Sequence, residues 1–496
     1  MSDEQAEIIA YLSGLLGAPK IVTTHISTVL LGRDRVFKLK RPVRLPYLDF
    51  STPALRLDMC AREVALNRAF SPALYLGMRR ITRESDGKLA LDGEGASLDA
   101  VVEMRRFPDD ALFDCMAREG RLTKEMIETL ARRIAKAHDA AIADHARGGA
   151  ASMRQIIDSM DASLRAAAPA PSDEVEAHLD NLRRALATNA ALIDARQAQG
   201  KVRPCHGDLN LRNICLFEGE PTPFDCLEFS DDISTIDVLY DLAFLLMDLW
   251  RVGLCDFSNL ALNRYLDARA QSEEDGLPLL PFFMSLRATI RAHVEASQGN
   301  GETARGFFDL SRDLLQPAQG AIVAIGGFSG SGKSSVAAAL APRIAPAPGA
   351  RIFNSDRLRK RLFGVEATER LPPEAYKSEV SAKVYAEMFD AAKRVAKIGW
   401  PVVVDAVFDR PQDRAAIESA AREAGVPFMG VWLDVDLVQR LARVDMRVND
   451  VSDATRAVLQ AQMAKDTGEI LWLRVDGGRE RRRVIDEIAP LLTKRR

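Results

Sequence analysis

The amino-acid sequence predicts two domains of different class: an α+β half, in which a small sheet is followed by helices, and an α/β half, in which a mostly parallel sheet is covered by helices on both faces. Three observations predict it. Strand-like segments and one helix fill residues 21–104, and helical periodicity then runs as far as Leu315. Beyond residue 320, apolar runs at Ile322–Ile325, Val402–Val404 and Val431–Leu433 alternate with helical segments. At 496 residues with 47% hydrophobic side chains, the chain can bury two or three cores, because single cores rarely grow past roughly 250 to 300 residues. The expected division is a first domain over 1–315, with a small lobe at about 20–104 and a helical lobe at about 108–315, then a linker at 316–320 and a second domain over 321–496.

In order along the chain, Ile21–Leu31, a Gly32-Arg33-Asp34 turn and Val36–Lys40 read as a hairpin. Met59, Glu63, Leu66 and Phe70 recur at helical spacing and stop before Pro72. Strand character returns over Ile81–Met104 around the turn Ser85-Asp86-Gly87-Lys88. Thr123 is placed to cap a helix carrying Ile127, Leu130, Ile134 and His138, and alanine-rich helical sequence continues to about Ala198, broken at Pro169–Ser172. Ile214–Phe217 is strand-like and is followed by a Glu218-Gly219-Glu220-Pro221 turn, and helical periodicity resumes from Asp237 through Trp250. The turn-prone Gln316-Pro317-Ala318-Gln319-Gly320 precedes the apolar Ala321–Gly326.

A formal net charge of −3, from 67 Lys and Arg against 70 Asp and Glu, leaves no electrostatic footprint for nucleic acid or an anionic membrane, so the expected partners are small molecules. The acidic start Met1-Ser2-Asp3-Glu4-Gln5 is unlike a secretory leader. The most apolar stretch, Leu239–Trp250, is interrupted by Asp241 and Asp248, so a cytoplasmic protein without a membrane span is expected. The six cysteines form no C-x-x-C and read as reduced structural thiols. The alternative gathers Cys205, Cys215 and Cys226 around a metal.

Two motifs carry chemistry. Gly327-Phe328-Ser329-Gly330-Ser331-Gly332-Lys333-Ser334 matches G-x-x-x-x-G-K-[ST] at every fixed position and follows an apolar strand. Its glycines free backbone N–H groups to surround phosphate oxygens, and the next helix, through Ser335, points its positive end at them. Lys333 adds a mobile cation and Ser334 a hydroxyl ligand for Mg2+. Val402-Val403-Val404-Asp405 is followed by Ala406, so the water-activating second carboxylate of a motor ATPase is missing. Asp356 and Arg359, one helical turn apart, can act as base and anchor for an acceptor hydroxyl, or as a helix cap and a solvated charge. The second motif is His206-Gly207-Asp208-Leu209-Asn210-Leu211-Arg212-Asn213 with Asp225 downstream. Its D-x-x-x-x-N spacing suits a base, Asp208, beside two metal ligands, Asn213 and Asp225, since phosphoryl transfer depends on positioning and charge neutralisation. Two ATP sites and two kinase activities on hydroxylated small molecules follow.

On Gly327–Ser334 and the Asp356-x-x-Arg359 pair, the second half resembles the P-loop kinases that include polynucleotide kinases, zeta-toxin-like kinases and gluconate kinase. The resemblance implies an arginine-rich lid at Arg440, Arg443 and Arg447, with Arg443 and Arg447 on the nucleotide. Across about residues 20–315, with His206–Asn213 as its marker, the first half resembles the aminoglycoside phosphotransferase family. The two together imply an α+β protein-kinase-like domain followed by an α/β P-loop NTPase domain, a tandem order similar to bacterial fused aminoglycoside phosphotransferase and ATP-binding proteins. By this resemblance Lys38 contacts the nucleotide phosphates, Glu63 pairs with it, Met104–Phe107 forms the hinge, and His206 and Asp241 brace the loop. Lys40 shares the orientation of Lys38 by the strand period and is its rival. Thr24-His25-Ile26-Ser27-Thr28 stands where protein kinases carry a glycine-rich loop. That departure leaves a second reading open: a P-loop small-molecule or polynucleotide 5′-hydroxyl kinase whose N-terminal half is a regulatory or binding module.

Overall fold

The structure, a computed structural model, describes residues 3–45, 48–446 and 451–494. The chain separates into two compact units. The first comprises residues 1–253, 264–271 and 282–311, and the second 254–263, 272–281 and 312–496. Residues 254–263, 272–281 and 312–315, all before the expected 316–320 boundary, thus cluster with the second unit. Polar side chains account for one of them: Asn259 Nδ2 donates to the carbonyls of Pro348 and Ala350, both at 3.0 Å. Side-chain bonds of this kind carry no periodic signal in a sequence.

The first unit opens on a six-stranded antiparallel sheet of β1 (Lys20–Thr23), β2 (Ser27–Leu31), β3 (Arg35–Lys40), β4 (Tyr75–Arg83), β5 (Leu89–Leu91) and β6 (Ala96–Arg105), in the order β1-β2-β3-β6-β4-β5. The single strand expected over Ile21–Leu31 is two strands, because Thr24 closes a turn on Ser27: its backbone N–H donates to the Ser27 carbonyl at 2.8 Å, and its hydroxyl accepts from Ser27 N at 2.9 Å. Strand alternation then sorts β3. Phe37 and Leu39 pack with Ile8 and Leu12 of the N-terminal helix, while Val36 packs with Cys60 and Val64 of α1 (Pro53–Phe70). Lys38 and Lys40, in phase with Val36, therefore stand on the α1 side of the sheet, where Glu63 waits.

The lower part of this unit is helical, as expected, and is dominated by helices Lys124–Ala140, Gly149–Ala167 and Ser172–Ala198, then α2 (Val238–Arg251) and α3 (Leu280–Ser297). Thr123 caps the first of these through Met126 N at 3.3 Å, and Asp237 caps α2 through Leu239 N at 2.8 Å. The hairpin Ile214–Phe217/Glu220–Pro223 follows the His206–Asn213 loop.

In the second unit five strands, β7 (Ala321–Gly326), β8 (Arg351–Asn354), β9 (Pro401–Asp405), β10 (Phe428–Asp434) and β11 (Leu473–Asp476), form a parallel sheet ordered β8-β9-β7-β10-β11. Val323, Ile325, Val403, Val431 and Leu433 pack on one face against Val336 and Leu340 of α4 (Lys333–Leu340) and Ile485 and Ile488 of the last helix. Ile322, Ala324, Val402 and Val404 point the other way, toward helices Ser378–Lys397 and Pro411–Ala424. Both faces are covered, which is why three strands read as unbroken apolar runs. Four-residue β11 was not legible as a strand, since Leu473-Arg474-Val475-Asp476 alternates too briefly to signal.

Among the described residues no helix is long and apolar enough to cross a membrane. All six cysteines are free, and burial pushes the Cys60 and Cys215 thiols up to about 12, as inert structural thiols require.

Candidate active sites

In the second unit, β7 runs into the phosphate loop and the loop into α4. Gly327 (φ +138°) and Gly330 (φ +81°) take backbone conformations that other residues rarely adopt. A Cβ on Gly327 would meet Leu433 O at 2.8 Å, and one on Gly330 would meet Arg440 O at 2.7 Å. A cleft of about 410 Å³ opens beside the loop, lined among others by Ser329, Gly330, Gly332, Lys333, Ser334 and Ser335. Lys333 Nζ donates to the Phe328 carbonyl at 3.2 Å. Register places Asn354 and Asp405 opposite each other at the carboxyl ends of β8 and β9, and Asn354 Nδ2 donates to Asp405 Oδ2 at 2.6 Å.

Asn354 also caps α5 (Ser355–Leu362), accepting from Arg357 N at 2.9 Å, so the capping role considered for Asp356 falls two residues earlier. Asp356 is left on the cleft wall with Arg359. Burial, with the Asp405 charge, holds the Asp356 carboxyl above its ordinary range, against a Ser452 hydrogen bond and the cations of Lys333 and Arg359. Arg359 is buried, donating to Ala375 O at 2.6 Å and lying 4.8 Å from the Tyr376 ring centre, which excludes the solvated-charge alternative. Tyr376 OH donates to Asp453 Oδ2 at 2.6 Å, and Asp453 also takes Lys360 Nζ at 3.2 Å.

The three arginines expected to form a lid part company. On α6 (Leu437–Asp445), Arg443 lines the cleft and donates to Gly330 O at 3.4 Å and Gly477 O at 3.0 Å. Arg440 is buried with its guanidinium 5.1 Å over the Phe328 ring. Arg447 lies outside the described residues. Sequence reasoning missed Gln462, whose amide accepts from Ser329 N at 2.9 Å and donates to Ser329 Oγ at 3.1 Å, bracing the phosphate loop from a helix 133 positions away.

In the first unit, β3 and α1 bring Lys38 Nζ within 2.8 Å of Glu63 Oε1, and the same ammonium pairs with Asp225. Lys40 Nζ takes the other Glu63 oxygen at 2.5 Å and pairs with Glu228. Lys38 retains 12% side-chain exposure and Lys40 none, so the geometry sets Lys38 at the open side with Asp225 and seals Lys40 behind it. Burial alone would lower the Lys38 pKa, but the Asp225 and Glu63 charges outweigh it and raise it well above the ordinary value. Asp225 is held low by Lys38 despite burial. Its φ of +63° is an αL conformation rare outside glycine, and the turn is pinned there by Asp225 N, which donates to the Tyr75 hydroxyl oxygen at 3.1 Å.

Asp208 sits one loop away. Asn213 Nδ2 donates to its Oδ2 at 2.6 Å and Asn210 Nδ2 to its Oδ1 at 3.0 Å. Burial raises its pKa, and the Asp225 charge adds to the rise. Asp241 braces the loop, its carboxylate accepting from His206 N at 3.3 Å and Gly207 N at 2.8 Å, while His206 Nε2 contacts Phe224 O at 2.9 Å. Met104 is buried and Phe107 packs 5.1 Å from the Phe224 ring. Lys38, Glu63, Asp208, Asn213 and Asp225 are thus brought together. The cysteine trio does not form a ligand cluster; among the described residues the close set is His138, Cys205 and Asp241. There His138 already contacts Asp241 Oδ2 at 3.1 Å and Tyr265 OH at 2.9 Å, which marks a structural hydrogen-bond network.

The folds and their family matches define the class: the protein is a kinase, an enzyme of phosphoryl transfer. Residues 60–277 match the phosphotransferase enzyme family and residues 322–467 match the AAA domain family. Over 475 residues the chain is 28% identical to uncharacterized proteins of Mycobacterium tuberculosis and Mycobacterium bovis, covering 92% of itself and 92% of each. Among solved structures it is similar to an aminoglycoside phosphotransferase of Streptomyces rimosus (18% identity, 58% of this chain, 98% of that one, TM-score 0.35). It is likewise similar to an APS kinase of Mycobacterium tuberculosis (24% identity, 36% and 99%, TM-score 0.28).

Proposed function

We propose that the protein is an ATP- and Mg2+-dependent phosphotransferase with two kinase modules, each transferring the γ-phosphate to a hydroxyl group of a small molecule. One observation carries this reading: each unit sets a half-buried carboxyl of raised pKa, Asp208 or Asp356, near a lysine and further polar groups suited to a metal-bound triphosphate. A base poised above the ordinary carboxylate range transfers a proton more readily near neutrality.

The residues fit the nucleotide and metal. In the second unit, the left-handed glycines leave a cradle that a Cβ would fill, and Lys333, Ser334 and Arg443 line the cleft beside it. Lys333 and Arg443 would hold phosphate oxygens, and Ser334 would hold the metal. In the first unit Lys38, oriented by Glu63, would hold phosphate, and Asn213 and Asp225 would hold the metal. The metal, when bound, neutralises charge on the transferred group. Asp208 and Asp356 accept the acceptor's hydroxyl proton, and Arg359 anchors the second acceptor. The Lys38–Glu63–Asp225 assembly favours a working first site over a purely regulatory one, because the charged groups of transfer are already paired off in order.

Asp208→Asn and Lys333→Ala, made separately in the full chain, test this by ATP consumption over a metabolite library with and without Mg2+. Each is expected to lower a different acceptor's turnover by about 10²-fold or more. Full turnover of every acceptor in both variants would refute it.

A further inference from the structure

We propose that the acceptor of the first unit carries an anionic group, a carboxylate or a phosphate, held by Arg287 and Arg291. The inference rests on Asp208 as the base of a phosphotransferase and adds the chemical class of the molecule it acts on.

Arg287 and Arg291 stand four residues apart on α3, on one helix face. Arg287 is 5% exposed, with Nε donating to Tyr240 O at 3.2 Å and its guanidinium 3.8 Å from the Tyr240 ring centre. One of its terminal nitrogens is buried without a hydrogen-bond partner, and among the described residues no carboxylate pairs with it. A desolvated guanidinium with an unmade bond is costly, and arginine is seldom this deeply buried without an ionic partner. Arg291 does have one, Glu295, but that carboxylate is shared with Arg212 at 3.5 Å and with Asn300 Nδ2 at 2.8 Å. Arg212 and Arg291 thus share the carboxylate of Glu295, while Arg287 makes no ion pair among the described residues, its charge reaching Asp208 and Asp241 only from farther off. The charges of Arg291 and Arg287 both act on the Asp208 carboxyl, opposing its burial.

A planar guanidinium presents paired N–H donors that match a carboxylate or phosphate. An amino sugar bearing several ammonium groups would instead meet like charge beside Asp208. The site thus selects acidic acceptors over polycationic ones.

Two measurements on the full chain decide it, both in a Lys333→Ala background that silences the second activity. First, inorganic sulfate is titrated while the thermal midpoint is followed. The sulfate-induced rise is expected to fall by half or more with Arg287→Gln or Arg291→Gln and to persist with Arg291→Lys; an unchanged rise in both Gln variants overturns the proposal. Arg291, with 17% side-chain exposure, carries the test should Arg287→Gln fail to fold. Second, ATP turnover is compared over sugar acids, sugar phosphates and matched amino sugars. Turnover of an acid or a phosphate, with KM raised about tenfold by Arg291→Gln and kcat changed less, supports the proposal and tells the two anion types apart. Turnover confined to amino sugars overturns it. If sulfate binding depends on the arginines while Asp208→Asn leaves all turnover intact, the anion site stands and the catalytic reading of Asp208 falls.

Discussion

Lys38 and Lys40 lie two positions apart in β3, bind opposite oxygens of the same Glu63, and end in different surroundings. Replacement should separate them. Lys38→Met, at the open side beside Asp225, should lower the first activity by about 10²-fold and also cost stability, though less than Lys40→Met, because Lys38 and Asp225 keep some contact with solvent. Lys40→Met strands Glu228 and half of Glu63 in a sealed interior and should destabilise the fold by about 3 to 5 kcal/mol, read by denaturant unfolding. Asp208 is a group whose folded-state pKa is raised above its unfolded value. Its neutral form is the one the fold favours, so its contribution to stability is greatest below the ordinary carboxylate range and is lost as pH rises through the raised value. Asp208→Asn, without the partly desolvated charge, is expected to raise the thermal midpoint at neutral pH while removing the first activity. Asp225, held low by Lys38, runs oppositely: its contribution is present at neutral pH and fades as acid protonates it. For both activities kcat/KM should fall on the acid side at a pH above the ordinary carboxylate range, because both proposed bases are raised.

The phosphate loop was readable residue by residue because its function is backbone geometry, and only glycine supplies that geometry at Gly327 and Gly330. Gly330→Ala would drive a Cβ to 2.7 Å from the Arg440 carbonyl. It should raise the KM for ATP in the second activity by about tenfold or more while leaving the first unchanged, and far-ultraviolet circular dichroism should stay as in the parent. The proposed catalytic loop was legible for a similar reason, since His206–Asn213 packs its polar side chains into eight consecutive positions. The braces, and the separate surroundings of the arginines expected in a lid, were not. Arg440 and Arg443 share a helix and a charge, yet one lies over Phe328 and the other reaches Gly330. Gln462 and Asn354 reach their partners through side-chain amides that leave no periodicity in the sequence.

At the scale of the whole molecule, the order of the two folds and the positions of the two motifs proposed to hold phosphate were determined by the sequence alone. Strand alternation, helical periodicity and glycine placement are local, so each is written within one or two turns of chain. Beyond that range the pattern is silent. Only the tertiary structure decided which lysine of β3 faces Asp225, that Arg287 is buried without an ion pair among the described residues, and that residues 254–263 and 272–281 cluster with the second unit. Those outcomes depend on the burial of charge and on hydrogen bonds between residues far apart in the chain, and a linear pattern does not record which distant groups share a low-dielectric interior.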